Sequence, residues 1–200
     1  MHTSVPSYRQ LMLWLWLAWF VYWVVSALSV KSTRRRESLG SRLSHVVPLL
    51  TGVALILWPR APWQWLSLRL LPPGPLQVAL GLVLLALGLA FTVWARVYLG
   101  RNWSGMVTVK EGHELIRSGP YAYVRHPIYT GLLVALLGSA VGCGELRALI
   151  GLGIVAGAFI RKLRIEERFM RELFPQQYPR YCAEVPALIP FTNSPRSAPR

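Results

Sequence analysis

Five apolar runs divide the chain: Leu11 to Val30, Val46 to Trp58, Leu76 to Leu99 with Arg96 near its end, Ile128 to Cys143, and Leu146 to Ile160. A helix needs about 20 consecutive apolar residues to cross a hydrocarbon core about 30 Å thick. The first and third runs supply that length. The second can be extended in either direction, and the fifth continues into the amphipathic stretch Arg161 to Phe174. The pattern predicts an all-α, polytopic membrane protein with about five transmembrane helices. A secretory signal is the competing reading of the first thirty residues. Its apolar region would be only about 7 to 15 residues long, and here a basic cluster follows the run, so the segment reads as an anchor.

Composition agrees with that class: 54% of residues are hydrophobic and 15% charged, with a mean hydropathy of +0.39, which does not suit a soluble domain of this size. Charge then orients the chain, because Lys and Arg are retained on the cytoplasmic side. With the amino terminus outside, 18 of the 22 Lys and Arg fall in cytoplasmic segments. Arg9, Arg60, Arg69 and Arg147 are left outside, and the carboxyl terminus is cytoplasmic. The net charge of +14 therefore follows from topology and anionic lipid, and nucleic acid is not an expected partner. In a bacterium, such a chain would lie in the inner membrane as a multi-pass protein.

Residues 1–98 read as an amino-terminal unit of three spans, 99–191 as a region of loops and a two-helix hairpin, and 192–200 as a disordered tail. Pro59, Pro62, Pro72, Pro73 and Pro75 with Trp63 and Trp65 fit an outer interfacial segment. Trp16, Trp19, Phe20 and Trp23 form one aromatic stripe, read as helix packing or lipid contact. Gly142-Cys143-Gly144-Glu145 allows only a tight turn between the last two spans. Gly138 with Gly142, and Gly153 with Gly157, predict close backbone approach within that hairpin. Cys143 and Cys182 lie on opposite sides of the membrane and cannot pair, and no metal site is implied.

The chemistry concentrates between Gly112 and Tyr129, where imidazole, guanidinium, carboxylate and phenol groups sit between two apolar runs. Pro127 marks the first turn of a helix, since its missing N–H needs no partner there. The helix start then offers its positive end to an anion, with Arg125 and His126 beside it. After the fifth span, Lys162 and Glu166 lie one turn apart. The hairpin brings Glu166 near His126, so two polar clusters converge at one membrane face.

Taken in order, Gly112-His113-Glu114-Leu115-Ile116, Ser118-Gly119-Pro120-Tyr121 and Arg125-His126-Pro127-Ile128-Tyr129-Thr130-Gly131 resemble the signature of the isoprenylcysteine carboxyl methyltransferase family. Glu166-Glu167, Phe174-Pro175-Gln176-Gln177-Tyr178, Tyr181, Val185-Pro186 and Leu188-Ile189-Pro190-Phe191 resemble its closing segment. The resemblance spans roughly Tyr98 to Phe191 and implies an S-adenosylmethionine-dependent membrane methyltransferase. Cofactor contacts are implied from His113, Glu114, Leu115, Ile116, Tyr121, His126, Pro127, Ile128, Tyr129 and Glu166. The family's substrate-facing arginine matches Arg161 or, by strict spacing, Lys162; Arg161 is preferred. Pro175 stands where the family often has Gly, and the amino-terminal half carries none of its motifs.

The resemblance implies direct methyl transfer to an acceptor held in line, where positioning supplies much of the rate. For a carboxylate acceptor, Arg161 orients the nucleophile and Glu166 balances the cationic cofactor. An amine acceptor needs a base, for which Glu166 and Glu167 are the candidates. The acceptor is expected to be a lipophilic small molecule or a prenylated substrate entering from the bilayer, with membrane lipids as surroundings and no obligate protein partner. Phospholipid or small-molecule N- or S-methylation is the alternative enzyme reading, and a non-catalytic scaffold the remaining one.

Overall fold

The computed structural model describes residues 7–27, 33–36, 38–57, 63–100, 108–110 and 115–192, with backbone alone at 33–36 and 108–110. Four of the predicted runs become α1 (Tyr8–Ala27), α2 (Leu39–Leu57), α3 (Pro75–Leu99) and α4 (Pro127–Cys143). The fifth becomes α5 (Leu146–Leu173), whose 28 residues carry it past the end of the apolar stretch. A short α6 (Gln177–Glu184) follows. His113, Glu114 and the tail from 193 onward lie outside the described residues.

By length and composition α1, α2 and α3 are long and apolar enough to span a membrane, and α4 is a shorter apolar helix. Proline opens both α3 and α4 at the first turn, where a missing N–H costs nothing. Gly144, left-handed at φ 68°, ends α4, and only Glu145 separates it from α5. The predicted tight hairpin is present. Among the described residues the fold is all-helical apart from one small ribbon that hydrophobic periodicity did not reveal. In it β1 (Thr33–Arg36) pairs antiparallel with β2 (Thr108–Lys110), in register Arg36 with Thr108. The ribbon ties the α1–α2 connection to the α3–α4 connection.

The helices alternate in direction. Gly81 meets Gly142 and Gly88 meets Ala135, so α3 and α4 are antiparallel; Gly52 meets Gly151, so α2 and α5 are too. Trp19 Nε1 donates to Thr92 Oγ1 at 2.6 Å and Arg96 donates to the Ser26 carbonyl at 2.6 Å, which sets α1 parallel to α3. The aromatic stripe is therefore largely packing: Trp16 also donates to Ser139 Oγ at 3.1 Å, and Trp19 stacks on Trp23 at 4.6 Å.

The small-residue seams differ from the expectation. Gly138 and Gly142 do permit close approach, but to α3 and to Tyr8 of α1, while Gly153 and Gly157 have nothing within 4 Å of an added Cβ. The tight seams are α3 against α4 and α2 against α5. Chain neighbours in a hairpin need not be the closest packed pair, because each helix turns its small-residue face to whichever partner also offers one.

Candidate functional site

The start of α4 and the far part of α5 meet at the end of the bundle where α3 also finishes. His126 caps α4 and stacks on Tyr129, with ring centroids 5.6 Å apart, and Tyr129 in turn stacks on Phe159 of α5 at 4.8 Å. Glu166 and Glu167 approach from α5. His126 Nδ1 lies 3.6 Å from Glu166 and Nε2 lies 3.2 Å from Glu167, so one imidazole bridges both carboxylates. Tyr129 donates its hydroxyl to Glu166 Oε1. Lys162 Nζ is 4.0 Å from Glu166 and lies over the Tyr129 ring, 5.4 Å from its centroid.

Arg125 holds the neighbouring arrangement together. Its Nε and Nη2 donate to Glu167 Oε1 at 2.9 and 2.7 Å, and its Nη1 donates to the carbonyls of Cys182 and Val185. Backbone bonds add to this clasp, from Arg125 N to Pro186 O at 2.9 Å and from His126 N to Ala187 O at 3.0 Å. Thr130 Oγ1 donates to Leu188 O at 2.7 Å. The closing segment, with α6, is thus fastened across the start of α4. Its buried Tyr178, Tyr181 and Val185 pack with Leu115, and the Tyr181 hydroxyl donates to the Tyr121 carbonyl at 2.6 Å.

Electrostatics divides the two acids. Burial would raise the Glu167 pKa, yet the His126 hydrogen bond and the Arg125 hydrogen bonds and charge push it down to about 2. Arg171, 3.5 Å away, adds a further cation. Glu166 is also held below its ordinary range: burial opposes ionisation, but His126, the Lys162 charge and the Tyr129 hydroxyl outweigh it. Burial disfavours the His126 imidazolium, and the two carboxylates overcome that and raise its pKa. Neither carboxylate is therefore poised as a base near neutral pH.

Linkage gives a sign to test. A depressed carboxyl pKa stabilises the fold fully above the unfolded value near 4.5 and loses that contribution as pH falls through about 2. The stability gap between the wild type and Glu167→Gln is expected to stay constant above pH 4.5 and to shrink below it. Thermal unfolding in detergent at stepped pH measures this. A gap that widens on acidification would rule out the ionised pair.

Of the residues singled out in the sequence, Glu166, Glu167, His126 and Tyr129 share one cluster, and Pro127 is buried beside them in the first turn of α4. Ile128 is partly buried on the same turn. Leu115, Ile116 and Tyr121 lie before and within the 3-10 turn Gly119–Ala122, and Leu115 and Tyr121 are held against the closing segment. Arg161 is placed elsewhere: its guanidinium donates to Ser44 Oγ of α2. Lys162 reaches the cluster instead, because one residue along a helix is a turn of about 100°. Strict spacing points to the residue that lies in the cluster, and the preferred Arg161 lies against α2. The clasp made by Arg125 carried no signal in the sequence beyond its place next to His126.

A family model described as phospholipid methyltransferase matches residues 76–177, from the first turn of α3 to the start of α6. The chain belongs to the phospholipid methyltransferase family. The chain is also similar to protein-S-isoprenylcysteine O-methyltransferase B of Arabidopsis thaliana, 30% identical over 116 residues, covering 56% of this chain and 59% of the relative. The protein-S-isoprenylcysteine O-methyltransferase of Schizosaccharomyces pombe is 33% identical over 109 residues, covering 53% and 46%. The chain thus spans about half to three-fifths of the length of these relatives. Among solved structures, the eukaryotic intramembrane Ras methyltransferase, isoprenylcysteine carboxyl methyltransferase, matches with a TM-score of 0.50 at 24% identity, covering 77% of this chain and 52% of that one. That likeness shows a shared polytopic membrane fold.

Proposed function

We propose that this member of the phospholipid methyltransferase family transfers a methyl group from S-adenosylmethionine to a carboxylate on an isoprenylcysteine-like or other lipophilic acceptor that enters from the bilayer. The protonation pattern of the cluster carries the choice of acceptor. Glu167 stays ionised down to about pH 2, Glu166 is held below its ordinary range and His126 above it. An ammonium acceptor must first give up a proton, and carboxylates held below their ordinary range accept one poorly near neutrality. A carboxylate acceptor arrives as the nucleophile. Lys162 then supplies a cation to orient it.

S-adenosylmethionine supplies a methyl group on a positively charged sulfonium. The chain's residues fit such a group by their chemistry. Glu167 is bound by the guanidinium groups of Arg125 and Arg171, whereas Glu166 is met by Tyr129, His126 and Lys162 and keeps 24% of its side chain exposed. A partly exposed carboxylate that no guanidinium of the described residues contacts favours an approaching cation. Leu115, Ile116, Tyr121, His126, Pro127, Ile128 and Tyr129 would hold the remainder, with His113 and Glu114 from the stretch outside the described residues. The proposed orientation, carboxyl terminus cytoplasmic, sets this cluster on the cytoplasmic side. In a bacterium that membrane is the inner one.

The test is transfer of labelled methyl by the purified protein in lipid, offered a prenylated cysteine analogue and, separately, phosphatidylethanolamine. Base-labile label on the first acceptor supports the ester reading. Label only on phosphatidylethanolamine would replace it with N-methylation, the second reading, which the description of the matching family model favours. No transfer and no cofactor binding would leave a scaffold.

Two substitutions separate the roles. Glu166→Ala is expected to weaken S-adenosylmethionine binding by about tenfold to a hundredfold, the range for a contact to a charged group worth about 1.5 to 3 kcal/mol. Lys162→Ala is expected to raise the acceptor's KM severalfold, while Arg161→Ala leaves it near wild type. A rise with Arg161→Ala alone would return the orienting role to that residue.

A further inference from the structure

Positive residues are scarce at the bundle end opposite Glu166, which makes their arrangement there informative. Arg9, Arg69 and Arg147, far apart in sequence, line a single cavity of about 330 Å³. Along α5, Arg147 and Glu166 are separated by roughly 28 Å at 1.5 Å per residue, so this cavity is distinct from the candidate site. One wall is apolar, formed by Met12 and Leu13 of α1 and Ile56 and Leu57 of α2. The end is polar and cationic.

One of the three arginines in the cavity is structural. Arg147 is buried; its Nε donates to Glu145 at 2.6 Å and its Nη1 to the Leu55 carbonyl at 2.7 Å, so it fastens the end of α2 and pairs with Glu145 of the lining. Arg9 and Arg69 are exposed and leave the lining net positive. Arg69 is positioned by backbone, since Leu70 N donates to Gly144 O at 2.8 Å and Leu146 N donates to Leu68 O at 2.9 Å on either side of it. Its Nη2 is 3.4 Å from Gln77 Oε1. Two guanidinium groups at the end of an apolar wall match a group that is anionic at one end and hydrocarbon at the other. Leu13, 52% exposed, turns that wall toward the bilayer.

We propose that this cavity binds an anionic phospholipid of the leaflet facing away from the candidate site, with its phosphate between Arg9 and Arg69 and an acyl chain along Leu13 and Leu57. The lipid fills the space between α1 and α2 and is not the methyl acceptor. Native mass spectrometry of the purified full chain in detergent, titrated with phosphatidylglycerol and with phosphatidylcholine, tests it. The wild type is expected to prefer phosphatidylglycerol at least fivefold, Arg9→Gln with Arg69→Gln to lose the preference, and Arg164→Gln with Arg168→Gln, at the other end, to keep it. Both changed side chains in the first variant are exposed, and a thermal melt checks that the fold is intact. An unchanged preference in that variant overturns the proposal. Displacement of the lipid by an equal concentration of glycerophosphoglycerol or inorganic phosphate also overturns it, because the site would then be one for a free anion.

Discussion

Replacing Arg125 with alanine is expected to cost about 3 kcal/mol of stability, in the range for removing one partner of a buried ion pair, and to abolish the proposed methyl transfer. The Glu167 side chain is only 9% exposed and would keep its charge while losing its two shortest hydrogen bonds. The carbonyls of Cys182 and Val185 would lose their donor at the same time, releasing the closing segment from α4. Arg125→Lys is expected to recover less than half of the loss, since a single ammonium cannot reach both Glu167 and those carbonyls in the way a planar fork does. Arg117→Ala is the matched control. Arg117 pairs with Glu184 on the surface, where the two side chains are 42% and 59% exposed, and such pairs are worth about 0 to 1 kcal/mol. Thermal unfolding in detergent, alongside the methyl-transfer assay, reads both variants. Equal losses for Arg125→Ala and Arg117→Ala would remove the clasp from the account.

The second large effect is expected at Gly88. A Cβ there would stand 2.4 Å from Ala135 N and 2.6 Å from the Gly131 carbonyl, both backbone atoms of α4 that cannot rotate aside. Gly88→Val must therefore push α3 and α4 apart along their whole seam. Overpacking commonly costs about 1 to 3 kcal/mol, and contact with rigid backbone puts this change at or beyond the upper end. Loss of a monodisperse peak on size exclusion in detergent is the expected reading. Gly153→Ala meets nothing within 4 Å and gains helix propensity of up to about 1 kcal/mol, so it is expected to be neutral or stabilising. A tolerated Gly88→Val would mean that the seam is looser than these distances.

The candidate site is legible in part in the sequence. Apolar length marked the helices, and Pro127 after His126 marked where α4 begins. The short turn at Gly144 implied that α5 would return beside α4, which is why Glu166 and His126 could be paired. Resemblance assigned the cofactor contact to Glu166, but the sequence did not choose between Glu166 and Glu167 as the base for an amine, since adjacent acids on one helix differ only in which way they point. That direction decided that Glu167 is enclosed by Arg125, Arg171 and His126 while Glu166 stays partly exposed. The same rotation of about 100° per residue placed Lys162 in the cluster and Arg161 against Ser44.

By itself, then, the sequence determined what depends on neighbours along the chain: helix positions and lengths, their starts at proline, the hairpin turn, and the ordered motifs of the family. These follow from local sterics and from the thickness of a bilayer, which act on any chain of this pattern. The tertiary structure alone decided what depends on partners distant in sequence. It joined α3 to α4 and α2 to α5 through facing glycines, and locked Arg125 onto carbonyls some sixty residues away. It also gathered Arg9, Arg69 and Arg147 around one cavity. Such contacts come from the three-dimensional fit of helix faces, and no periodicity along a single helix encodes which face it will meet.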